Sequence, residues 1–468
     1  MADDAHQNPT DYEVPPGPKG LRRYLEFLAF RRDNRMFFIN RYDKYGPIFR
    51  TWLGGDVVCL VGPEAITLLQ DTEFFERADA NGTPTSDMMN FNTVPLLSSN
   101  DDPVRDHTLR KTLVMDAIGH DALGEYLPLI ESIIPRWLDR WHIRTEFGWF
   151  DEFEKFGTGV GNALLMGETT GSNDPDLEET LRCYVAGLGA LPIPLPFSTY
   201  KKGLRCRDKL LEAIHEAIKL HRKAIGEGKP FKNIMNSLIK AFDAKESLGD
   251  DILANEVLHL YFAAFTGVSL GLTAMCLALG QHRAIMQQAR AEVMEKCPSG
   301  DLSMEILDHL HYLQMLAMEA RRVNPVLANT FLWKVKKATV FNKYQVPEGW
   351  KAVGGLYATM NIPETFDDPS VFDPKRFSRS RSEGRLPNSY CPHGASSEDD
   401  LEAGTPYHGH KCGGEPFVDF LMKVMAVYLL RDYTWTLLPQ DLSYTTGTLF
   451  PQPADGLQVH FRPLYTNS

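Results

Sequence analysis

Cysteine is scarce in this chain: there are seven in 468 residues. Cys59, Cys183, Cys206, Cys276, Cys297, Cys391 and Cys412 are odd in number and form no compact framework. That excludes a small disulfide scaffold and reads as thiols in a reducing compartment. Long apolar runs are missing too, since no window reaches the roughly 18 consecutive apolar residues of a spanning helix. The opening MADDAHQNPTDYEV is polar and acidic, unlike a signal peptide or an anchor. The expectation is a cytoplasmic protein with no integral membrane anchor. Positive charge is in deficit: 49 Lys and Arg against 61 Asp and Glu leave −12, which argues against nucleic acid as the main partner. What is present is ordinary for a globular protein, 43% hydrophobic and 24% charged residues, and excludes disorder, collagen and coiled-coil arrays. The length is ample for a large buried core.

The pattern predicts a mainly α protein with small β-sheets. Residues 1–14 are expected to be a flexible N-terminal segment, closed by Pro15-Pro16-Gly17-Pro18, and 15–468 a single domain without linkers. A helix is predicted over 20–45, ending at Tyr45-Gly46-Pro47. Ile48–Leu53 and Val57–Val61, parted by Gly54-Gly55, carry a hairpin signature. Residues 63–290 are mostly helical, with breakers at 80–85, 167–175 and 189–198, and 250–280 form a long apolar helix. Another helix spans 303–323. Residues 331–360 turn β-rich, and 361–412 are loop-rich. Gly413-Gly414 opens a last helix at 415–431, and short strands follow in 433–463.

Two clusters could carry chemistry. Glu319 and Arg322, at i and i+3, share a helix face. Such a pair on a surface contributes only a few tenths of a kcal/mol, but Pro325 stops the helix just beyond and suggests a fixed element. The second cluster is Tyr407-His408-Gly409-His410-Lys411-Cys412-Gly413-Gly414-Glu415. A cysteine where a helix begins meets the positive end of the helix dipole, which stabilises a thiolate. Gly413 and Gly414 let backbone approach something flat and bulky. Three readings stand side by side: an inert thiol, a thiolate that ligates a cofactor, and a metal site. For the last, Cys391, His393, His408, His410 and Cys412 offer nitrogen and sulfur ligands at zinc-like spacings.

The order of the motifs separates these readings. Glu319-x-x-Arg322-x-x-Pro325, then Phe372-Asp373-Pro374-Lys375-Arg376-Phe377, then a glycine-flanked cysteine opening a helix, resembles the C-terminal half of the cytochrome P450 superfamily. Pro15–Pro18 resembles its proline hinge, and Lys44-Tyr45-Gly46-Pro47 with Phe49-Arg50 the entry to its first sheet. Pro363-Glu364-Thr365-Phe366 with Pro369 resembles the loop before the PxRF segment. The resemblance implies the triangular haem-thiolate fold and haem b as cofactor. It makes Cys412 the axial iron ligand, and assigns His107, Arg110 and Lys111, with His410 and Gly414 of the cysteine loop, to holding the haem. Glu319 and Arg322 would be a buried structural pair.

The departures are specific. The usual cysteine loop has Phe seven residues and Gly four residues before the ligand, where this chain has Thr405 and His408. The loop is lengthened by Ser396-Ser397-Glu398-Asp399-Asp400-Leu401-Glu402. Its ending, with Gln440-Asp441-Leu442-Ser443, is similar to the bacterial fatty-acid peroxygenases, and a lengthened loop also occurs in allene oxide synthases. In the long helix, Thr266 takes the place of the acid that relays protons to dioxygen, and Gly267 that of the alcohol. Ala263 stands where allene oxide synthases have a catalytic asparagine, and the Arg-Pro pair of peroxygenases is absent. Residues 263–267 are expected to face the distal pocket, with Ser269 as a substitute hydroxyl. The resemblance therefore implies an oxidoreductase acting on a hydrophobic, fatty-acid-like or terpenoid substrate with peroxide or a hydroperoxide. The alternatives are a conventional monooxygenase served by a redox partner protein, and a non-catalytic Cys/His metal scaffold.

Overall fold

The computed structural model describes residues 9–77, 87–90, 107–167, 175–245, 248–404, 409–446 and 448–464. The contacts group into two compact units. The first takes Met1–Asp79, Met318–Cys412 and Thr445–Pro451, and the second Ala80–Ala317, Gly413–Tyr444 and Gln452–Ser468. Ten strands occur among the described residues: β1 (Ile48–Trp52), β2 (Asp56–Leu60), β3 (Phe75–Arg77), β4 (Glu146–Gly148), β5 (Trp333–Val335), β6 (Thr339–Phe341), β7 (Tyr344–Val346), β8 (Lys351–Gly354), β9 (Tyr433–Leu437) and β10 (Gln458–Pro463). They build three sheets, of five, three and two strands.

The first unit is organised by the five-stranded sheet, in the order β1-β2-β8-β5-β3. β1 and β2 form the expected hairpin, with Ile48 opposite Leu60 and Trp52 opposite Asp56, while β2 and β8 run parallel. The two-residue period of β2 sorts its side chains onto two apolar faces. Val58 and Leu60 join Ile48, Phe75, Trp333 and Val335 on one side. Val57, Cys59 and Val61 join Phe37, Phe38, Phe49 and Val353 on the other. The helix predicted over 20–45 is broken at Asp33, whose extended backbone and side chain cap Asn34–Tyr45 by accepting from Met36 N. The N-terminal segment is not loose from residue 9 onward. Pro9–Asp11 form a turn of 3-10 helix, Glu13 O accepts from Gln345 N at 2.9 Å, and Pro16 O accepts from Arg50 N at 2.8 Å.

The second unit is mainly helical, with β10 pairing between β4 and β9. Trp141, Trp149, Phe153, Trp435 and Phe461 pack with ring centroids 4.6–6.4 Å apart. The helix Asp250–Gln281 is the one described helix long and apolar enough to cross a membrane, and 83% of its most apolar window is buried inside the structure. Cys183 and Cys206 form a disulfide between Pro175–Leu188 and Thr199–Gly226, so the expectation of seven thiols fails at this pair. Spacing alone could not reveal it, because the bridge depends on two helices folding back on each other.

Pro175–Leu188 is also held by charge. Arg182 is shared among Asp151 at 2.6 Å, Glu154 at 2.9 Å and Glu178 at 3.1 Å. Burial pushes Glu154 up to about 7, because Arg182's attraction is offset by repulsion from Asp151 and Glu178. Asp151 is also partly buried, but Lys155 and Arg182 outweigh that and hold it below its ordinary value. The sign for Glu154 follows from linkage. Its folded pKa lies above the unfolded one, so the folded state binds the proton more tightly, and stability declines as pH rises through that interval and then levels off. At about 1.4 kcal/mol per pKa unit, the decline is on the order of 3 kcal/mol. We expect thermal melts of the wild type to fall between pH 5 and 8, and Glu154→Gln to flatten that fall. Parallel pH profiles for the two proteins would show Glu154 ionised throughout.

Candidate active site

In the first unit, the carboxylate of Glu319 is surrounded by donors. Arg322 Nε reaches its Oε2 at 2.7 Å and Arg322 NH2 its Oε1 at 2.9 Å. Arg376 Nε and Asp373 N reach Oε1 as well, each at 3.0 Å. Glu319, Arg322 and Arg376 are buried. Their remaining donors close over the loop that follows β8. Arg322 bonds Met360 O at 3.0 Å and Pro369 O at 2.8 Å, and Arg376 bonds Asp367 O, Val371 O and the Glu383 carboxylate at 2.7–2.9 Å. Two guanidiniums face two carboxylates, so the charges balance where desolvation would punish any excess. Arg376, visible in the sequence only as part of the PKRF segment, belongs to this network as fully as the predicted pair.

The cysteine loop lies in the same unit. Among the free cysteines, Cys59, Cys276, Cys297 and Cys391 are buried and Cys412 is exposed. Burial drives the Cys59 and Cys276 thiols far up and raises Cys391 to about 12. Cys412 N donates to His393 O at 2.8 Å, and the His410 ring stands edge-on to Trp333 with centroids 5.1 Å apart. The acidic run is a short helix, Glu398–Ala403, with a capping box between Ser397 and Asp400. Asp400 is buried, and its Oδ2 accepts Gly409 N at 2.6 Å. Only Glu398, Asp399 and Glu402 of the four acids present charge to solvent. The zinc-like reading loses its geometry: Cys391 is fully buried, and no three Cys, His, Asp or Glu among the described residues come together as metal ligands. His408, Thr405 and Tyr407 lie outside the described residues.

In the second unit, Gly414 caps the helix Glu415–Asp432, its carbonyl accepting from Val418 N at 3.1 Å. A Cβ on Gly413 would meet Met115 Cγ at 2.7 Å, so the helix His107–Ala117 runs directly beside this turn. That helix brings His107, Arg110 and Lys111 near residue 413. His107 and Lys111 are half-buried. Arg110 is 1% exposed and gives its Nε to Glu256 on the long helix at 2.8 Å, a partner the sequence did not reveal.

The long helix widens to a π-turn at Ala264–Val268, within the motif singled out from sequence. From Ser269 to Leu279 every side chain is buried, yet Ala263 is exposed and His259, Leu260 and Gly267 are half-buried. At 100° per residue these four share one face, which opens a stripe on an otherwise enclosed helix. Within 263–267 the burial differs from residue to residue. Phe265 is buried, and its Cα lies 3.4 Å from where a Cβ on Gly157 would sit, so it packs on Trp149–Gly161. Thr266 is also buried, with its Oγ1 unbonded among the described residues. Ser269 is no substitute hydroxyl, because it donates back to Phe265 O at 2.6 Å and approaches Thr266 O at 3.0 Å.

The family description Cytochrome P450 matches residues 15–461. The chain belongs to that family, and is accordingly an oxidoreductase whose cofactor is haem b. Putative cytochrome P450 120 of Synechocystis is 28% identical over 456 residues, covering 96% of this chain and 97% of that protein. Cytochrome P450 26B1 of Bos taurus is 26% identical, covering 97% and 88%. Among solved structures, retinoic acid bound cyanobacterial CYP120A1 superposes with a TM-score of 0.84 at 27% identity, over 97% of this chain and all of that one. Cytochrome P450EX alpha (CYP152N1) with myristic acid gives 0.71 at 22% identity, a likeness of fold. Each unit by itself carries donors that suit haem: the first an exposed thiol at 412, the second a basic helix beside Gly413.

The Glu319 network generates a direct expectation. Removing one partner leaves an uncompensated buried charge, costing about 3–5 kcal/mol. Glu319→Ala and Arg376→Ala should each lower the yield of soluble haem protein severely, measured by absorbance per milligram and by thermal melt. Normal yield and melting temperature would contradict the arrangement.

Proposed function

We propose that this enzyme oxidises a hydrophobic substrate, fatty-acid-like or terpenoid, with peroxide or a hydroperoxide as oxidant, and that Cys412 is its iron ligand. Haem, when bound, supplies the iron at which oxygen is activated and transferred. Cys412 holds that iron as a thiolate, favoured by its place ahead of Glu415–Asp432. His107, Arg110 and Lys111, with His410 from the cysteine loop, hold the propionates by charge-assisted hydrogen bonds. Leu260, Ala263 and Gly267 give the distal side an apolar surface that orients an apolar chain and excludes water. Retinoic acid in the CYP120A1 structure is a ligand of that kind.

The observation that carries the oxidant is the character of the open stripe. Cleaving dioxygen needs protons delivered by a group within hydrogen-bond reach, directly or through one water. Ala263 and Gly267 have no proton to offer, and the Ser269 hydroxyl is spent on backbone carbonyls. A peroxide brings both electrons and its own protons. Glu398, Asp399 and Glu402 add a second argument, since three exposed acids just before the ligand loop oppose the acidic surface of a ferredoxin. The competing reading, a donor-dependent monooxygenase, rests on His259. This titratable group lies one turn before Ala263 on the same face, with its Nε2 at 2.9 Å from Met89 O.

The test is product yield from a panel of fatty acids and terpenoids at matched haem concentration, with hydrogen peroxide or a fatty-acid hydroperoxide against a ferredoxin-reductase system. Yield with peroxide should be the higher, and the ferrous CO complex should show a red-shifted Soret band that Cys412→Ser abolishes. Efficient NAD(P)H-coupled oxidation without peroxide activity would return the enzyme to the donor-dependent class.

A further inference from the structure

Arg321 lies between the two residues of the Glu319–Arg322 pair in sequence but points elsewhere. It is 1% exposed, and its NH1 lies 2.8 Å from His393 Nε2. A guanidinium has donors and no acceptor, so Nε2 must be the acceptor. The His393 imidazole is thus oriented with Nε2 toward the guanidinium. Its own carbonyl, in turn, accepts Cys412 N at 2.8 Å. Three groups thus stand in series: a buried cation, the imidazole it meets, and the backbone amide of the exposed cysteine.

The backbone between them leaves little play. Pro392 fixes one side of His393, and Gly394 on the other has φ +91°, a conformation open to glycine. A Cβ on Gly394 would stand 3.1 Å from His410 O and 3.5 Å from Lys411 Cα, so the 391–395 turn lies directly against the segment entering Cys412. Cys391 and Ala395, at the two ends of the turn, are buried in the cluster with Ile66, Leu356, Met360 and Phe366. The ends are held by apolar packing and the middle by Arg321. Asp400 holds the other approach to the loop through Gly409 N.

We propose that Arg321 and His393 are a positioning pair for the Cys412 loop. Arg321 orients the imidazole, the imidazole fixes the turn, and the His393 carbonyl occupies the Cys412 amide, which sets the direction of the thiol. The proposal rests on Cys412 being the iron ligand. Outer-shell partners of metal ligands typically carry about 10–100-fold in metal affinity, and the expectation here is at the lower end.

The experiment compares wild type with Arg321→Leu, His393→Leu, His393→Gln and the double variant Arg321→Leu/His393→Leu. Three readouts are taken on the haem-loaded proteins: the fraction of the ferrous CO complex in the red-shifted thiolate form, the iron reduction potential, and the rate of haem transfer to apomyoglobin. Arg321→Leu and His393→Leu should each reduce the thiolate fraction, move the potential and speed haem loss by about tenfold. His393→Gln, which keeps an acceptor for Arg321, should restore most of the wild-type values. The double variant should be no worse than either single one, as residues acting through one another are non-additive. Should Arg321→Leu fail to fold, His393→Leu against His393→Gln still decides. Folded leucine variants with wild-type spectrum, potential and haem loss would overturn the pair, as would a His393→Gln variant as damaged as His393→Leu. Absence of the thiolate band from the wild type would instead overturn the assignment of Cys412.

Discussion

One buried carboxylate organises the first unit. Glu319 collects four hydrogen bonds, from both arginines and the Asp373 amide. A lone ionised carboxylate at this depth would be unaffordable without partners, and two guanidiniums meeting it would be as unstable without Glu383 to balance them. With the charges matched, the arginines have donors left over for the carbonyls of Met360, Asp367, Pro369 and Val371. A segment with almost no secondary structure is thereby given one conformation. The chain leaving it is the chain that reaches Cys412. Precision in the cysteine loop starts from this network, since the intervening residues have few backbone ladders of their own to define them.

The long helix of the second unit shows the complementary constraint. It is apolar enough to resemble a membrane span, and its burial explains why: nearly every direction around it meets protein. Against that background the exposed Ala263 carries information that an exposed alanine on a surface helix would lack. The π-turn beginning at Ala264 shifts the register of everything beyond it. Phe265 and Thr266 are buried, and Gly267 is half-buried.

Some of this was legible in the sequence and some was not, for physical reasons. The β1–β2 hairpin, the long helix and the Glu319–Arg322 pair rest on local periodicity and i, i+3 spacing, which a sequence displays directly. The pairing of Arg110 with Glu256 joins residues 146 apart, and that of Arg321 with His393 residues 72 apart, so no local pattern announces either. The acidic run was read as loop charge because composition hides direction: the capping box turns Asp400 inward while its neighbours stay outside. Ser269 was credited with a free hydroxyl because one-dimensional reading does not count backbone acceptors one turn away. The Cys183–Cys206 bridge needed the approach of two helices that sequence spacing does not encode.

The central claim is that oxygen reaches the product from a peroxide rather than from dioxygen. Its most direct measurement is the origin of that atom. The haem-loaded enzyme is given a lipid substrate with oxygen-18 hydrogen peroxide under unlabelled air, and in parallel with unlabelled peroxide or a reductase system under oxygen-18 gas. The products are weighed by mass spectrometry. The account predicts that the label follows the peroxide and that labelled gas leaves the product light. Label arriving from the gas, in amounts that track NAD(P)H consumed, would contradict it.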